Sequence, residues 1–507
     1  MSKTQPARGM RDFLPADIRK REYVIGIIKE VYESYGFEPL ETPAVENLET
    51  LTGKYGEEGN QLIYKILKRG EKLEQSTSER DSSDLALRYD LTVPLARVVA
   101  QHKNDLPKFF KRYQIQPVWR ADRPARGRYR EFYQCDVDAI GSNSMLVEAE
   151  LISAVSEILT RLGFDDFTIR ANHRKLLNAL LEKLGISSEL NTSVLITLDK
   201  LDKIGLDGVL QEFELKGLSD EQAALLLTVF EESKRKNEPW QNKWFWNLTE
   251  LEFISAFFSP LQIDFYTKKY SVIQSLATDG IINELQNLKN AKVNNLILSQ
   301  FLLLTKGSEL AGIAISELFS IIKYCVNLGI GNRVKLDLTL ARGLSYYTGA
   351  IFEINVPDFA GSLAGGGRYD GLVGMFGKEQ IPACGFSIGL ERILVVMEER
   401  GMFPKELNDN SADVLVTVWN DDSIVESLKL AGELRKENLR VLVYPEADKL
   451  GKQFKYAAQI NAPFVCVLGE SELAENKVTL KNMQTGEQET IERKEAAARV
   501  KTHMQNP

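Results

Sequence analysis

The sequence has few of the residues on which metal sites and nucleophilic catalysis most often rest. Its 507 residues include four cysteines, far apart and without a Cys-x-x-Cys pair, and three histidines, none at a metal-ligand spacing from another. A disulfide framework, a zinc knuckle and a catalytic centre built on histidine are therefore disfavoured. The chemistry of this chain must rest on arginine, acidic, tyrosine and glutamine side chains.

Long apolar runs are also missing. No segment approaches the roughly 20 apolar residues that cross a bilayer, and the first residues have no apolar stretch of the secretory kind. With the scattered cysteines, this predicts a reducing compartment, the cytoplasm, and no membrane partner. The net charge of −8 disfavours a general nucleic-acid binder but allows local basic surfaces.

Hydrophobic periodicity predicts a mixed chain of several domains. A helix is predicted over 17–35 and a long antiparallel hairpin over 109–140. From about 173 to 330 the pattern is almost wholly helical, which predicts an inserted domain. Strands return at 334–357, and alternating strands and helices from 413 predict a separate α/β domain with a partly parallel sheet.

Two segments near residue 350 are the most informative feature. Residues 342–349 read Arg-Gly-Leu-Ser-Tyr-Tyr-Thr-Gly, and a glycine run at 365–367 leads into Arg368-Tyr369-Asp370. An arginine, two tyrosines and glycines that let the backbone come close suit a pocket wall for something small, polar and anionic. The run is not a P-loop, because no Gly-Lys-Ser/Thr follows. The alternative is a flexible hairpin turn.

A second segment combines basic and aromatic residues. From Lys108 to Arg130 there are eight basic residues and one acid, Asp122, and Phe132 follows. Arginine offers paired hydrogen bonds to phosphate and an aromatic ring stacks on a base, so the segment favours nucleotide or RNA contact. A solvated basic hairpin is the alternative.

Three shorter segments each allow a functional and a structural interpretation. Asp90, before a predicted helix, either pairs with an ammonium group or caps the helix. Gln134 and Asp138 share one face of a strand, where they either read a polar side chain or face solvent. Arg392, one turn into a helix, either reaches a phosphate tail or pairs with Glu391 on the helix surface.

Together and in this order, these segments resemble the class II histidyl-tRNA synthetases. Residues 22–45, with Pro43, resemble motif 1, a helix and strand at a dimer interface. Residues 112–140 resemble motif 2 and residues 384–394 resemble motif 3. The two segments near residue 350 are similar to the signatures specific to the histidine enzymes, and residues 413–503 resemble an anticodon-binding domain.

The resemblance implies a fold of the α/β (α+β) class, with a class II antiparallel sheet core, a helical insertion and a C-terminal mixed α/β anticodon-binding domain. The implied boundaries are 1–170 with 331–403 for the catalytic domain, 171–330 for the insertion, 404–412 for a linker and 413–507 for the anticodon-binding domain. A homodimer is implied as well.

The implied activity is ATP-dependent. L-histidine would become histidyl-adenylate with release of pyrophosphate, and would then be transferred to the 3′ end of tRNA(His). Mg²⁺ is expected with ATP, and no structural metal is expected.

The resemblance also implies residue roles. Arg120 and Arg342 would be catalytic and contact the α-phosphate from two sides, where charge develops. The implied histidine-binding residues are Asp90, Thr92, Arg120, Gln134, Asp138, Arg342, Tyr346 and Tyr347. The implied ATP-binding residues are Arg120, Asp122, Phe132 and Arg392. Asp138 and Tyr347 would address the two imidazole nitrogens, and Ser345 stands where many members have Asp.

Three other interpretations compete. A non-catalytic relative, such as a regulatory subunit of ATP phosphoribosyltransferase, keeps the fold but loses motif arginines or the C-terminal domain, whereas Arg120, Arg342 and Arg392 are present here. A class II synthetase for another amino acid is disfavoured by the two segments near residue 350. A protein that only binds RNA would not need three separated arginines that face phosphate.

Overall fold

A long β-hairpin lies within the central sheet. Strand Phe110–Trp119 pairs antiparallel with strand Glu131–Ile140 along its whole length, with Arg112 opposite Asp138. Because side chains alternate between the two faces of a strand, one face of the hairpin is mainly apolar and the other carries polar groups. The hairpin predicted over 109–140 is confirmed.

The computed structural model describes residues 4–52, 61–70, 73, 82–199, 201–224, 226–227, 305, 307–341, 347–377, 379–404, 407 and 412–505. Arg342, Ser345 and Tyr346 lie outside the described residues, as do 228–304 of the predicted insertion and 408–411 of the predicted linker.

The helices and strands follow the predicted order. The strands are β1 (Glu38–Pro39), β2 (Val45–Asn47), β3 (Lys65–Leu67), β4 (Ser83–Leu87), β5 (Phe110–Trp119), β6 (Glu131–Ile140), β7 (Thr168–His173), β8 (Val334–Leu336), β9 (Ala350–Asn355), β10 (Ser362–Arg368), β11 (Ala383–Gly389), β12 (Val414–Val416), β13 (Val441–Val443), β14 (Phe464–Val467), β15 (Lys477–Asn482) and β16 (Gln488–Glu492). The α-helices are α1 (Pro15–Ser34), α2 (Leu48–Leu51), α3 (Thr92–Gln101), α4 (Leu146–Arg161), α5 (Arg174–Lys183), α6 (Asn191–Asp199), α7 (Leu201–Leu215), α8 (Glu309–Asn327), α9 (Leu390–Glu399), α10 (Ile424–Lys436), α11 (Leu450–Gln459), α12 (Glu470–Glu475) and α13 (Ala496–Gln505).

The large sheet is mostly antiparallel. Its strand order is β1-β5-β6-β11-β10-β9-β7-β8, and only the edge pairs β1/β5 and β7/β8 are parallel in the described part of the chain. A small sheet, β2-β4-β3, lies beside α2. The antiparallel sheet core implied by the resemblance is therefore confirmed.

The alternation along β6 separates an apolar face from a polar one. Cys135 and Val137 are fully buried, and Tyr32 of α1 donates its hydroxyl to the Cys135 carbonyl at 3.5 Å. Gln134 and Asp138 point to the opposite face, because they lie an odd number of residues from Cys135 and Val137. The candidate site is on this second face.

The glycine run belongs to a strand. Gly365, Gly366 and Gly367 lie in β10, which pairs with β9 on one side and β11 on the other. A Cβ on Gly366 would overlap the carbonyl oxygen of Gly385, so the close approach of two backbones requires glycine there. The alternative interpretation of these glycines as a flexible hairpin turn is wrong.

The described residues form two compact units, Met1–Asp12 with Arg21–Met402, and Phe13–Lys20 with Phe403–Pro507. The second unit contains the sheet β13-β12-β14-β15-β16, in which β13, β12 and β14 are parallel and the other pairs are antiparallel. Leu430 of α10 and Val500 of α13 are buried in its core. The partly parallel sheet predicted from residue 413 is confirmed.

Candidate active site

A polar cavity of about 360 Å³, including the open space at its entrance, lies on the polar face of the large sheet. It brings together six of the predicted site residues, which are Asp90, Thr92, Arg120, Gln134, Asp138 and Tyr347. Four further polar or glycine residues that the sequence did not single out as ligand contacts also line it: Asp136, Tyr369, Gly385 and Ser387. The lining combines acids, one arginine and two tyrosines. The cavity therefore suits a ligand that carries both a positively and a negatively charged group.

Asp138 is held by two buried partners. Tyr369 donates its hydroxyl to Oδ1, and Arg112 Nη2 lies 2.7 Å from Oδ2. Burial raises the pKa of the Asp138 carboxyl, while the charge of Arg112 and the hydrogen bond from Tyr369 oppose this shift. A Cβ on Gly385 of the neighbouring strand would overlap Oδ1, so glycine there leaves room for the carboxylate. A carboxylate fixed in this way can accept a hydrogen bond from a ligand N–H.

Asp136 lies between Gln134 and Asp138 on the same face and is 1% exposed. Burial raises the pKa of its carboxyl to about 7; Arg112 pulls this pKa down and the charge of Asp138 pushes it up. The cavity thus contains two neighbouring carboxyls that share one buried arginine, and a proton held on one of them lowers their mutual repulsion.

Gln134 has an unused acceptor. Its Nε2 donates to Ser387 Oγ at 2.9 Å, while its Oε1 is buried without a hydrogen-bond partner among the described residues. Buried polar atoms are almost always paired in folded proteins. This oxygen is therefore available to accept a hydrogen bond from a ligand donor such as an ammonium group.

Arg120 follows directly after β5. Its Nε donates to the Tyr89 carbonyl at 3.0 Å, and its guanidinium carbon lies 4.3 Å from the centre of the Tyr89 ring and 5.2 Å from that of Phe132. None of these contacts uses the two terminal nitrogens. Arg120 can therefore present a pair of donors to a carboxylate or phosphate.

Asp90 supports the first turn of a helix and also lines the cavity. Its Oδ1 accepts the backbone N–H of Val93 at 3.1 Å, where α3 begins at Thr92. The N-cap position is Leu91, so the interpretation of Asp90 as the N-cap residue is wrong, although its carboxylate satisfies a first-turn N–H. Asp90 is 5% exposed and lines the cavity with Gln134 and Arg120, so its carboxyl also places acceptor oxygens there.

Two predicted ATP-binding side chains have partners outside the cavity lining. The Asp122 carboxylate receives two hydrogen bonds from Arg128, at 2.9 and 2.7 Å. Arg392 donates to the Ser362 carbonyl at 2.6 Å. Glu391 is 3% exposed and bonds to Arg21 at 2.9 Å, so the alternative of an exposed Glu391–Arg392 pair on the helix surface is wrong.

The Arg-Tyr-Asp segment divides its side chains between two tasks. Arg368 forms a buried, paired contact with Glu148 of α4, at 2.6 and 2.8 Å, and so ties β10 to the helix behind the sheet. Tyr369 reaches Asp138 instead, and Tyr347 packs against Gly367, where a Cβ would lie 3.0 Å from its ring. Tyr369 lies in a segment that the sequence analysis assigned to a pocket wall, but it was not among the predicted ligand-binding residues.

The described residues contain no cluster of three or more histidine, cysteine or acidic side chains placed to hold a metal ion. In the same part of the chain, no helix is both long and apolar enough to span a bilayer.

A mostly antiparallel sheet with this arginine-lined acidic cavity, in a chain that also has a separate small α/β unit, defines a class II aminoacyl-tRNA synthetase. The family model described as histidyl-tRNA synthetase matches residues 9–244 and 259–393, and that of the anticodon binding domain matches residues 413–503. The chain belongs to the histidyl-tRNA synthetase family.

Relatives match over nearly the whole chain. The histidine–tRNA ligase of Christiangramia forsetii is 38% identical over 499 residues, covering 96% of each chain. That of Cytophaga hutchinsonii is 39% identical over 500 residues, covering 96% of this chain and 97% of its own.

Solved structures agree on the fold. The crystal structure of histidyl-tRNA synthetase from Nostoc sp. PCC 7120 has a TM-score of 0.71 and 32% identity, and the match covers 99% of this chain and all of that one. A structure described as an ATP phosphoribosyltransferase regulatory subunit/histidyl-tRNA synthetase from Bacillus halodurans C has a TM-score of 0.65 at 19% identity, covering 92% of this chain and all of its own, and shows the shared fold alone.

Proposed function

We propose that this cavity joins histidine to ATP, and that the chain is an ATP-dependent histidine–tRNA ligase. One observation carries the proposal: Asp138, with its Tyr369 and Arg112 partners, lines the same cavity as Arg120. A fixed carboxylate suits an imidazole N–H, and the arginine suits the α-carboxylate and a phosphate.

The side-chain roles follow from charge and hydrogen-bonding capacity. Asp90, Thr92 and the unused Oε1 of Gln134 hold the α-ammonium group. Asp138 and Tyr347 address the two imidazole nitrogens. A site with buried groups matched to both nitrogens rejects side chains that lack them, because those groups would then stay unpaired.

The activation step is a displacement at phosphorus. A histidine carboxylate oxygen attacks the α-phosphorus of MgATP, the bond to the β-phosphate oxygen breaks, and pyrophosphate leaves. Arg120, with Arg342, stabilises the negative charge that develops on the α-phosphate oxygens. Phe132 and Arg392 stack on the adenine from two sides, Arg392 also lies near the γ-phosphate, and Asp122 contacts the nucleotide.

In the transfer step, the 3′-terminal hydroxyl of tRNA(His) attacks the carbonyl carbon of the adenylate and AMP leaves. Residues 413–507 are the anticodon-binding domain, and residues 171–330 are an insertion within the catalytic domain. We place the enzyme in the cytoplasm as a homodimer. The four buried, unpaired cysteines suit a reducing compartment.

The test is ATP–pyrophosphate exchange across a panel of all amino acids. We expect exchange with histidine only. Exchange with a different amino acid would assign another specificity, and no exchange with any would support a non-catalytic relative; either result refutes the proposal. Charging of tRNA(His) measures the second step.

A further inference from the structure

Residues Arg8–Arg11, which the proposed reaction does not use, contact the loop that joins β5 to β6. The Gly9 carbonyl accepts the backbone N–H of Arg130 at 2.8 Å, and the Arg8 carbonyl accepts a hydrogen bond from Arg130 Nη1 at 3.5 Å. The guanidinium carbon of Arg11 lies 3.4 Å from the centre of the Tyr129 ring. One short segment therefore fixes the end of the loop that leads into β6.

Arg130 connects this segment to the candidate catalytic arginine. The backbone N–H of Arg120 donates to the Arg130 carbonyl at 2.9 Å. This bond lies one step beyond Trp119 and Glu131, the last paired residues of the hairpin. Arg130 is thus hydrogen-bonded to Gly9 through its N–H and to Arg120 through its carbonyl. A displacement of Gly9 therefore displaces Arg130, and with it the backbone of Arg120.

Position 9 requires glycine for two independent reasons. Its φ is +83°, a conformation that costs energy for any residue with a Cβ. A Cβ there would also lie 2.9 Å from Cγ of Arg130 and from Cγ of Pro124. Gly36 has a similar φ, +76°, but nothing within 4 Å of its Cβ position. An alanine would therefore be strained in its backbone at both positions, but its Cβ would collide with neighbouring side chains only at position 9.

We infer that residues 8–11 are a positioning element that holds Arg120 in register for attack at the α-phosphate. This rests on the proposed role of Arg120 in the activation step. The segment contacts the 120–130 loop, whereas Asp138 and Tyr369 are held by other partners. Arg120 is one of several proposed histidine contacts, and Asp90, Gln134 and Asp138 remain in place when it shifts. Loss of the contact therefore impairs the chemical step more than it impairs binding of histidine.

The primary experiment compares Gly9→Ala with Gly36→Ala. Histidine-dependent exchange gives kcat and KM, calorimetry gives histidine affinity without ATP, and thermal unfolding reports the fold. We expect Gly9→Ala to lose at least about tenfold in kcat with histidine affinity within about threefold, because small displacements of a reacting group cost up to about 100-fold. Gly36→Ala should keep kcat within about twofold, since it carries only the backbone cost.

A double-mutant cycle on Arg11→Ala and Tyr129→Ala tests the same element without backbone strain. Coupled residues give non-additive effects, so we expect the double variant to lose no more kcat than the worse single one, and Arg11→Lys to recover part of it. The inference is overturned if Gly9→Ala matches Gly36→Ala in kcat, or if the two single losses simply multiply. A wild-type enzyme without histidine-dependent exchange would instead refute the proposed function.

Discussion

Tyr369 donates its hydroxyl to Asp138 Oδ1, and both side chains are buried against the sheet. The bond joins one of the two segments near residue 350 to the motif 2 hairpin, which are far apart in sequence. Asp138 is therefore oriented by a side chain from the second of these segments.

Tyr369→Phe should raise the KM for histidine by about tenfold, because the ring remains but one hydrogen bond to a buried carboxylate is lost. Exchange kinetics measure this. Tyr113→Phe is the matched control, since Tyr113 donates to Glu33 at 2.7 Å and does not line the cavity. An unchanged KM in Tyr369→Phe would show that the Tyr369 hydroxyl does not contribute to histidine binding.

Arg120→Ala and Arg342→Ala should each lower the exchange rate by at least about 100-fold, as expected for a group that stabilises charge in the transition state. Circular dichroism should show an intact fold. Arg161→Ala, which breaks a pair with Glu157 on the surface, should leave exchange unchanged. Near-normal exchange in either variant would refute its catalytic role.

Asp136 predicts a distinctive pH dependence. Its pKa is about 7 in the folded chain against an ordinary 3.8, so between these values the folded state binds the proton more tightly than the unfolded state. This carboxyl therefore makes folding less favourable as pH rises from about 4 to 7, and its effect is constant above that range. Asp136→Asn, which cannot ionise, removes this contribution.

Urea unfolding at pH 5, 6, 7 and 8 measures the effect. We expect the stability of Asp136→Asn relative to wild type to improve as pH rises to 7, by at most a few kcal/mol. The variant keeps Arg112, Asp138, Asp90 and Ser387, the groups that act on Asp136, and it removes the repulsion between Asp136 and Asp138. Parallel pH profiles for the two proteins would contradict the prediction.

Truncation of Glu148, which pairs with Arg368, should lower the stability of the fold strongly. Glu148→Ala removes the carboxylate that pairs with two nitrogens of buried Arg368, and leaves this arginine only its Nη1 contacts to Asp370 at 3.2 Å and to the Ser142 carbonyl at 2.9 Å. We expect a loss of about 3 kcal/mol in the free energy of unfolding. Glu30→Ala, in a pair with Arg161 on the surface, should cost no more than about 1 kcal/mol. Chemical denaturation gives both values, and equal losses would mean that Asp370 and the Ser142 carbonyl suffice to hold the Arg368 guanidinium.

The features that depend on local sequence pattern were predicted correctly. Strand alternation over 109–140 predicted the hairpin, and the same rule placed Gln134 and Asp138 on one face. It also places Asp136 there, two residues from each, so the signal for that residue was available. The strand at 365–367 was missed because three glycines have no side chains to alternate.

Partners distant in sequence were not predictable from local pattern. Arg112 meets Asp138 only through the strand register, and Arg368 meets Glu148 across 220 residues of chain. A sequence motif identifies Arg-Tyr-Asp as a unit. It does not reveal that its arginine turns to a helix while its tyrosine turns to the cavity.

The glycines of the sheet also limit how specificity can change. Gly365 and Gly385 line the cavity on neighbouring strands, so peptide backbone forms that part of its wall. A wall of side chains can adapt to a new ligand through rotamer changes or single substitutions, whereas a wall of paired backbone cannot move without loss of its ladder hydrogen bonds. Enlarging the site for a bulkier amino acid must therefore proceed through substitution of lining side chains, such as those of Tyr347, Tyr369 or Gln134.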